Sequence, residues 1–241
     1  DDTGQFFQSA LVQRGVEPAL MTSALPTGRV LSIITPDAQR TKITYLGASA
    51  DTQPEEITAE CFTDSAVVHM EGYMLFNPDL MTASLEAAKK AGVLISLDLA
   101  SFTVVEQSKP ILDDIIENYV DILIANEDEA LSYTGLQDES QALARLAQHV
   151  EIAVLKVGAR GSYIQEAEQV YRIPAQGGGT AIDTTGAGDL WAAGFLYGLV
   201  NGYTHEKNGR LASACGYEVC QVVGADIPAD GWNRIKKILE E

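Results

Sequence analysis

Segments with a two-residue apolar period alternate with segments of helical period along most of this chain. That alternation restricts the fold more than any other property of the sequence. Strands are expected at 18–24, 29–35 and 40–46, the last two closing a hairpin through a turn at Pro36-Asp37. Further strands are expected at 67–70, 93–99, 121–125 and 152–157, with two short ones sharing 162–173. Helices are expected at 3–14, ended by Gly15, and at 82–91, stopped by Gly92. Others follow at 110–119, 127–133 and 139–149. After the triplet Gly177-Gly178-Gly179, three more are expected at 188–200, 205–222 and 230–240. Strand, helix, strand with short connections implies right-handed crossovers, and with them an α/β fold whose central, mostly parallel sheet is covered by helices on both faces. The early hairpin falls outside that scheme and reads as a small β lid over approximately 18–47. No internal repeat or low-complexity linker divides the chain, so one domain over 1–241 is expected.

A chain of 241 residues with 46% apolar residues can bury a full core without staples. Its three cysteines (Cys61, Cys215 and Cys220) form no CxxC pair, which excludes a disulfide framework and a cysteine-rich zinc site and points to reduced thiols in the cytoplasm. The longest strongly apolar stretch, 190–200, is about half of a bilayer span, so no membrane association is expected. With 16 basic and 34 acidic residues the net charge is −18, which disfavours a nucleic-acid partner. A small phosphorylated ligand stays open, because backbone dipoles and a few cations can dominate a pocket. The chain starts Asp1-Asp2-Thr3-Gly4 without a methionine and runs straight into an amphipathic stretch, so an N-terminal part is expected to be missing.

Several motifs fail. There is no GxxxxGK[ST], no GxSxG, and Trp191 stands where a dinucleotide fingerprint needs glycine. His69-Met70-Glu71 mimics the HxE of zinc deaminases, but no PCxxC follows. What stands is Asp183-Thr184-Thr185-Gly186-Ala187-Gly188-Asp189, followed by an apolar helix. The amides of Gly186, Ala187 and Gly188 can form one concave nest at the positive end of that helix, a ready-made anion hole. Asp189 in the first turn puts a carboxylate within reach of whatever binds there, where it could take a proton from an acceptor hydroxyl. A glycine-rich turn with an acidic helix start is the plainer reading.

The stretch DTTGAGDLWAAGFL resembles the C-terminal signature of the PfkB, or ribokinase-like, carbohydrate and nucleoside kinases, closest in flavour to the adenosine kinases. The resemblance implies an ATP-dependent phosphotransferase with Asp189 as catalytic base. It also implies ATP and magnesium as requirements and a small-molecule acceptor, in a monomer or homodimer. Asn126-Glu127-Asp128-Glu129 resembles the family's NxxE, implying that Asn126 and Glu129 organise magnesium and phosphate, Glu129 through water. Lys156, Gly158 and Gly161 resemble the turn beside the nucleotide, and Arg40 falls where relatives place a phosphate-facing arginine on the lid. Asp183 and Thr185 resemble residues that hold a monovalent cation, which makes potassium an optional addition. Each stretch also has an ordinary reading: Asn126 with Glu129 is a capping box variant, Gly158 to Gly161 a hairpin turn, Arg40 a solvated arginine, and Asp183 an acceptor for loop amides.

For the acceptor, Leu97-Asp98-Leu99-Ala100-Ser101-Phe102 departs from the DxNxR of typical sugar kinases and is similar to adenosine kinases. Tyr73 and Phe102 would then face a purine, whose flat apolar face suits stacking, although either ring could be a core aromatic. Two departures from the family stand out. The strand with a substrate aspartate and the GG segment do not occur, and Ala212-Ser213-Ala214 has serine where many relatives have asparagine. A sugar kinase of ribose or fructose type, and a catalytically silent nucleotide-binding regulatory module, therefore remain the alternatives.

Overall fold

The computed structural model describes residues 1–35 and 40–241, with Arg40 described by its backbone alone. The turn expected at Pro36-Asp37 lies outside the described residues. The first helix, α1 (Asp2–Gln13), is capped by the Asp1 carboxylate and buries none of its residues. Strands β1 (Arg29–Ile34) and β2 (Arg40–Tyr45) pair antiparallel as a separate two-stranded sheet.

The main sheet has six strands in chain order: β3 (Val67–Glu71), β4 (Leu94–Asp98), β5 (Ile122–Asn126), β6 (Ile152–Lys156), β7 (Ser162–Glu166) and β8 (Gln169–Ile173). The first four are parallel neighbours, and the last two turn antiparallel. Between the parallel strands run α2 (Pro78–Ala91), α3 (Phe102–Tyr119), and the pair α4 (Glu127–Thr134) and α5 (Glu139–Leu146). A sheet that grows in one direction by right-handed crossovers keeps its crossover helices on one face. Accordingly Leu85, Leu112, Ile116 and Leu146 pack with Leu97, Leu123 and Leu155 in one core. The other face is left for helices that follow the sheet: α6 (Ala187–Val200), α7 (His205–Val219) and α8 (Ala229–Leu239). There Trp191 and Phe195 pack on Ile122, Ile124, Val154 and Ile164. The strict alternation of 122/124 and 123/125 between the two cores is the period-two pattern of a strand buried on both sides.

Two expectations are corrected. Residues 18–24 form no strand; the segment is irregular, tied by Ser23 to Asp51 at 2.6 Å and bounded by Pro18 and Pro26. Helix α3 begins at Phe102, not at 110, because Ser101 caps it and a buried stripe (Val104, Val105, Ser108, Leu112, Ile115, Ile116) continues through Pro110. A proline at the first helical turn is common, which is why the sequence invites the later start, but here tertiary packing carries the helix across it.

Candidate active site

The four parallel strands end in Glu71, Asp98, Asn126 and Lys156. In register Glu71 stands opposite Asp98 and Asn126 opposite Lys156. Residues two apart on a strand share a face, so Asn126 and Lys156 emerge on the side of Ile124 and Val154, the side covered by α6. The carboxyl ends of strands in open α/β sheets are where ligands sit. These polar ends line a cleft of about 230 Å³ whose opposite wall is the segment 184–189 at the start of α6, with Lys42 of β2 and Tyr73 at the rim. A larger groove, about 460 Å³, lies between α5 and the β7–β8 hairpin around Tyr163 and Val170, away from the parallel strand ends and from α6. The smaller cleft is the one that gathers the polar strand ends and the segment 184–189.

Local sequence explains each wall. Gly186 caps α6 at φ 77°, a left-handed conformation that glycine adopts without strain. The turn leaves the amides of Gly186, Gly188 and Asp189 without a protein acceptor among the described residues, whereas the Ala187 amide donates to the Thr184 carbonyl at 3.2 Å. Asp189 occupies the first turn, exposed to the cleft. Asp183 is fully buried and turned inwards. One of its oxygens accepts from the Thr185 amide and hydroxyl (2.9 and 2.6 Å), and the other accepts from the Gly224 amide at 2.9 Å. Those bonds express its role as an acceptor for loop amides. Thr185 lines the cleft.

Asn126 and Glu129 form a reciprocal capping box at the start of α4: Asn126 Oδ1 accepts from the Glu129 amide, and the Glu129 carboxylate accepts from the Asn126 amide and Nδ2, both at 2.7 Å. They cap and line the cleft at once. Burial pushes the Glu129 carboxyl up to about 7; Lys156 opposes this, Asp98 adds to it, and the Asn126 amide opposes it. Glu71 ends β3, and there too burial, then the charges of Asp189 and Asp98, raise its carboxyl, against Lys42 and Lys156. A raised folded-state carboxyl destabilises the fold as pH climbs from the unfolded value of 4.5 to about 7. Between pH 5 and 8, denaturant titrations should therefore show the wild type losing about 3 kcal/mol relative to Glu129→Gln. Parallel pH profiles for the two proteins would refute this.

Lys156 donates to Asp98 at 2.6 Å across the end of β5, both side chains mostly buried. Sequence reasoning names Lys156 but misses Asp98, Glu71 and Lys42. The signal for the first two was their place as last residues of parallel strands. For Lys42 it was the two-residue step from Arg40 along one strand face. The side chain of Arg40 lies outside the described residues. Gly158 and Gly161 form the turn after β6, where the Val157 amide donates to the Gly161 carbonyl at 2.9 Å, but neither lines the cleft. Tyr73 does, with its hydroxyl donating to the Ala100 carbonyl at 3.4 Å. Phe102 does not: it is the first residue of α3, half exposed, with its carbonyl accepting from Ser132. The expected pair of aromatics is thus reduced to one at the cleft.

A family model described as pfkB family carbohydrate kinase matches residues 1–231. The chain belongs to this family. The PfkB-family chain is 32% identical to a ribokinase of Arabidopsis thaliana, over 83% of this chain and 53% of that protein. It is 29% identical to a nucleoside kinase of Methanocaldococcus jannaschii, over 85% of this chain and 65% of that one. The chain thus spans between half and two thirds of these relatives' length. The crystal structure of adenosine kinase from Sinorhizobium meliloti superposes with a TM-score of 0.91 at 27% identity, covering 98% of this chain and 74% of that one. The PfkB-family fold therefore extends over nearly all 241 residues.

Proposed function

We propose that this PfkB-family chain transfers the γ-phosphoryl group of ATP to a hydroxymethyl group of a small acceptor, a nucleoside or a sugar. The observation that carries the reading is Asp189 on the first turn of α6, beside unpaired amides and facing the polar ends of four parallel strands. Asp189 takes the acceptor's proton as its oxygen attacks phosphorus. The amides of Gly186, Gly188 and Asp189, at the positive end of α6, hold the charge of the moving phosphoryl group. Lys156, Asn126 and Glu129 face the phosphates, with Gly158 and Gly161 bordering the nucleotide side. The lid strand β2 brings Lys42 to the cleft, excluding water that would otherwise hydrolyse ATP.

Magnesium fits the donor set. The cleft offers carboxylate and amide oxygens, and among the described residues no cluster of three or more His, Cys, Asp or Glu could cage a metal. That suits a hard cation which keeps its waters and shares the phosphates, with Glu129 and Asn126 holding those waters. Bound there, it would neutralise phosphate charge.

Tyr73, nearly half exposed at the cleft rim, supports a nucleoside acceptor, since its ring offers a stacking face for a base. Glu71 beside it supports recognition of hydroxyl groups, which a ribosyl unit and a free sugar share. The test is coupled ADP release by the full-length protein with magnesium, against adenosine, other nucleosides, ribose and fructose, with and without potassium. One acceptor well above the rest supports the assignment. A response confined to free sugars removes the stacking role of Tyr73, and silence across the panel with ATP still bound would favour a catalytically silent nucleotide-binding module.

A further inference from the structure

The ammonium of Lys156 is not simply at the edge of the cleft. It lies 3.4 Å from the point where a Cβ on Gly188 would stand, against the first turn of α6 and its unpaired amides. A cation there faces the positive end of a helix and needs a counter-charge to stay. Asp98 supplies it from two strands away, with Oδ2 accepting from Lys156 at 2.6 Å. Asp98 is itself fixed, because its Oδ1 accepts from the Ala100 amide at 3.0 Å. Ala100 itself adopts φ 63°, a left-handed conformation that residues with a Cβ avoid. Backbone strain kept at the mouth of a cleft is a pointer to function, and a buried ion pair is by itself a poor stabiliser of a fold.

We propose that Asp98 is a positioning residue which parks the Lys156 ammonium at the glycine nest, so that Lys156 becomes a catalytic cation for the phosphoryl group in transit. The inference rests on the phosphotransfer reading above. In the step, the acceptor oxygen bonds to the γ-phosphorus while its proton passes to Asp189, and the bond to the β–γ bridging oxygen breaks with its electron pair leaving on ADP. Lys156 keeps its proton throughout and turns part of its hydrogen bonding from Asp98 to the γ-phosphoryl oxygens. A cation already in place needs no reorganisation when the charge arrives.

The test uses the full-length protein with the most active acceptor of the panel. Lys156→Ala should lower kcat by about 100-fold or more while the Kd for a non-hydrolysable ATP analogue shifts by less than about fivefold. Added propylammonium should restore part of the lost kcat of Lys156→Ala and do nothing for the wild type. Asp98→Asn should lower kcat by about 10-fold, Asp98→Glu should recover part of that, and the double variant should be no worse than Lys156→Ala alone. Additive losses, no amine rescue, or a kcat for Lys156→Ala within about threefold of wild type would each overturn the proposal. A wild type that releases no ADP would instead sink the phosphotransfer reading and this inference with it.

Discussion

Asp189→Asn should lower kcat by at least about 100-fold while leaving the affinity for ATP within about threefold of wild type. The carboxylate stands on the first helical turn of α6 in the open cleft, and asparagine keeps its size and its helix position. What asparagine loses is the ability to take a proton. The amide nest and the polar strand ends are untouched, so nucleotide binding has no reason to change. Steady-state ADP release together with direct ATP titration separates the two quantities. Turnover equal to wild type would remove Asp189 from the chemistry; a matched loss of binding would mean that it serves the nucleotide rather than the acceptor.

A second large effect is expected outside the cleft lining. Gly161 closes the turn after β6 at φ 103°, and a Cβ there would stand 2.0 Å from the Ile173 carbonyl oxygen and 2.8 Å from the Ala175 amide nitrogen. Both are backbone atoms of the segment leading out of β8, so nothing flexible can yield. Gly161→Ala should destabilise the protein by about 3–5 kcal/mol, lowering Tm by about 10 °C. Gly158→Ala is the internal control. It shares the positive φ (55°), but its nearest neighbour is Glu127 Oε2 at 3.9 Å, so only the strain of about 1–2 kcal/mol should appear. Equal melting of the two variants would show that the close approach to β8 does not matter.

The sequence made the layered α/β architecture readable because its period-two runs end at turn residues and its helices end at glycine, as at Gly92 and Gly135. The chain's early part was less legible. Residues 18–24 carry apolar side chains but find no partner strand, and a strand exists only through its neighbour. The start of α3 was hidden because Pro110 mimics a helix beginning. Within the site, Asp183 to Asp189 and the Asn126–Glu129 box are local in sequence and could be found as motifs. The Asp98–Lys156 pair could not, since 58 residues separate its members and only the parallel register brings them together. Phe102 stands first in α3 and outside the cleft lining, a placement that adjacency to the Asp98 turn does not reveal.

The row formed by Glu71, Asp98, Asn126 and Lys156 also acts as a ruler. Neighbouring strands lie about 4.8 Å apart, so four strand ends mark out about 14 Å perpendicular to the chain direction, with each rung a separate strand. Of these four rungs Glu71 is the one farthest from Lys156, while Lys156 lies under the α6 nest. On the proposed function, recognition of the acceptor and handling of the phosphoryl group fall on different rungs, so that one can change while the other is held. Under that reading, exchanging Glu71 and Tyr73 should change the preferred acceptor while leaving the Lys156 end of the row undisturbed.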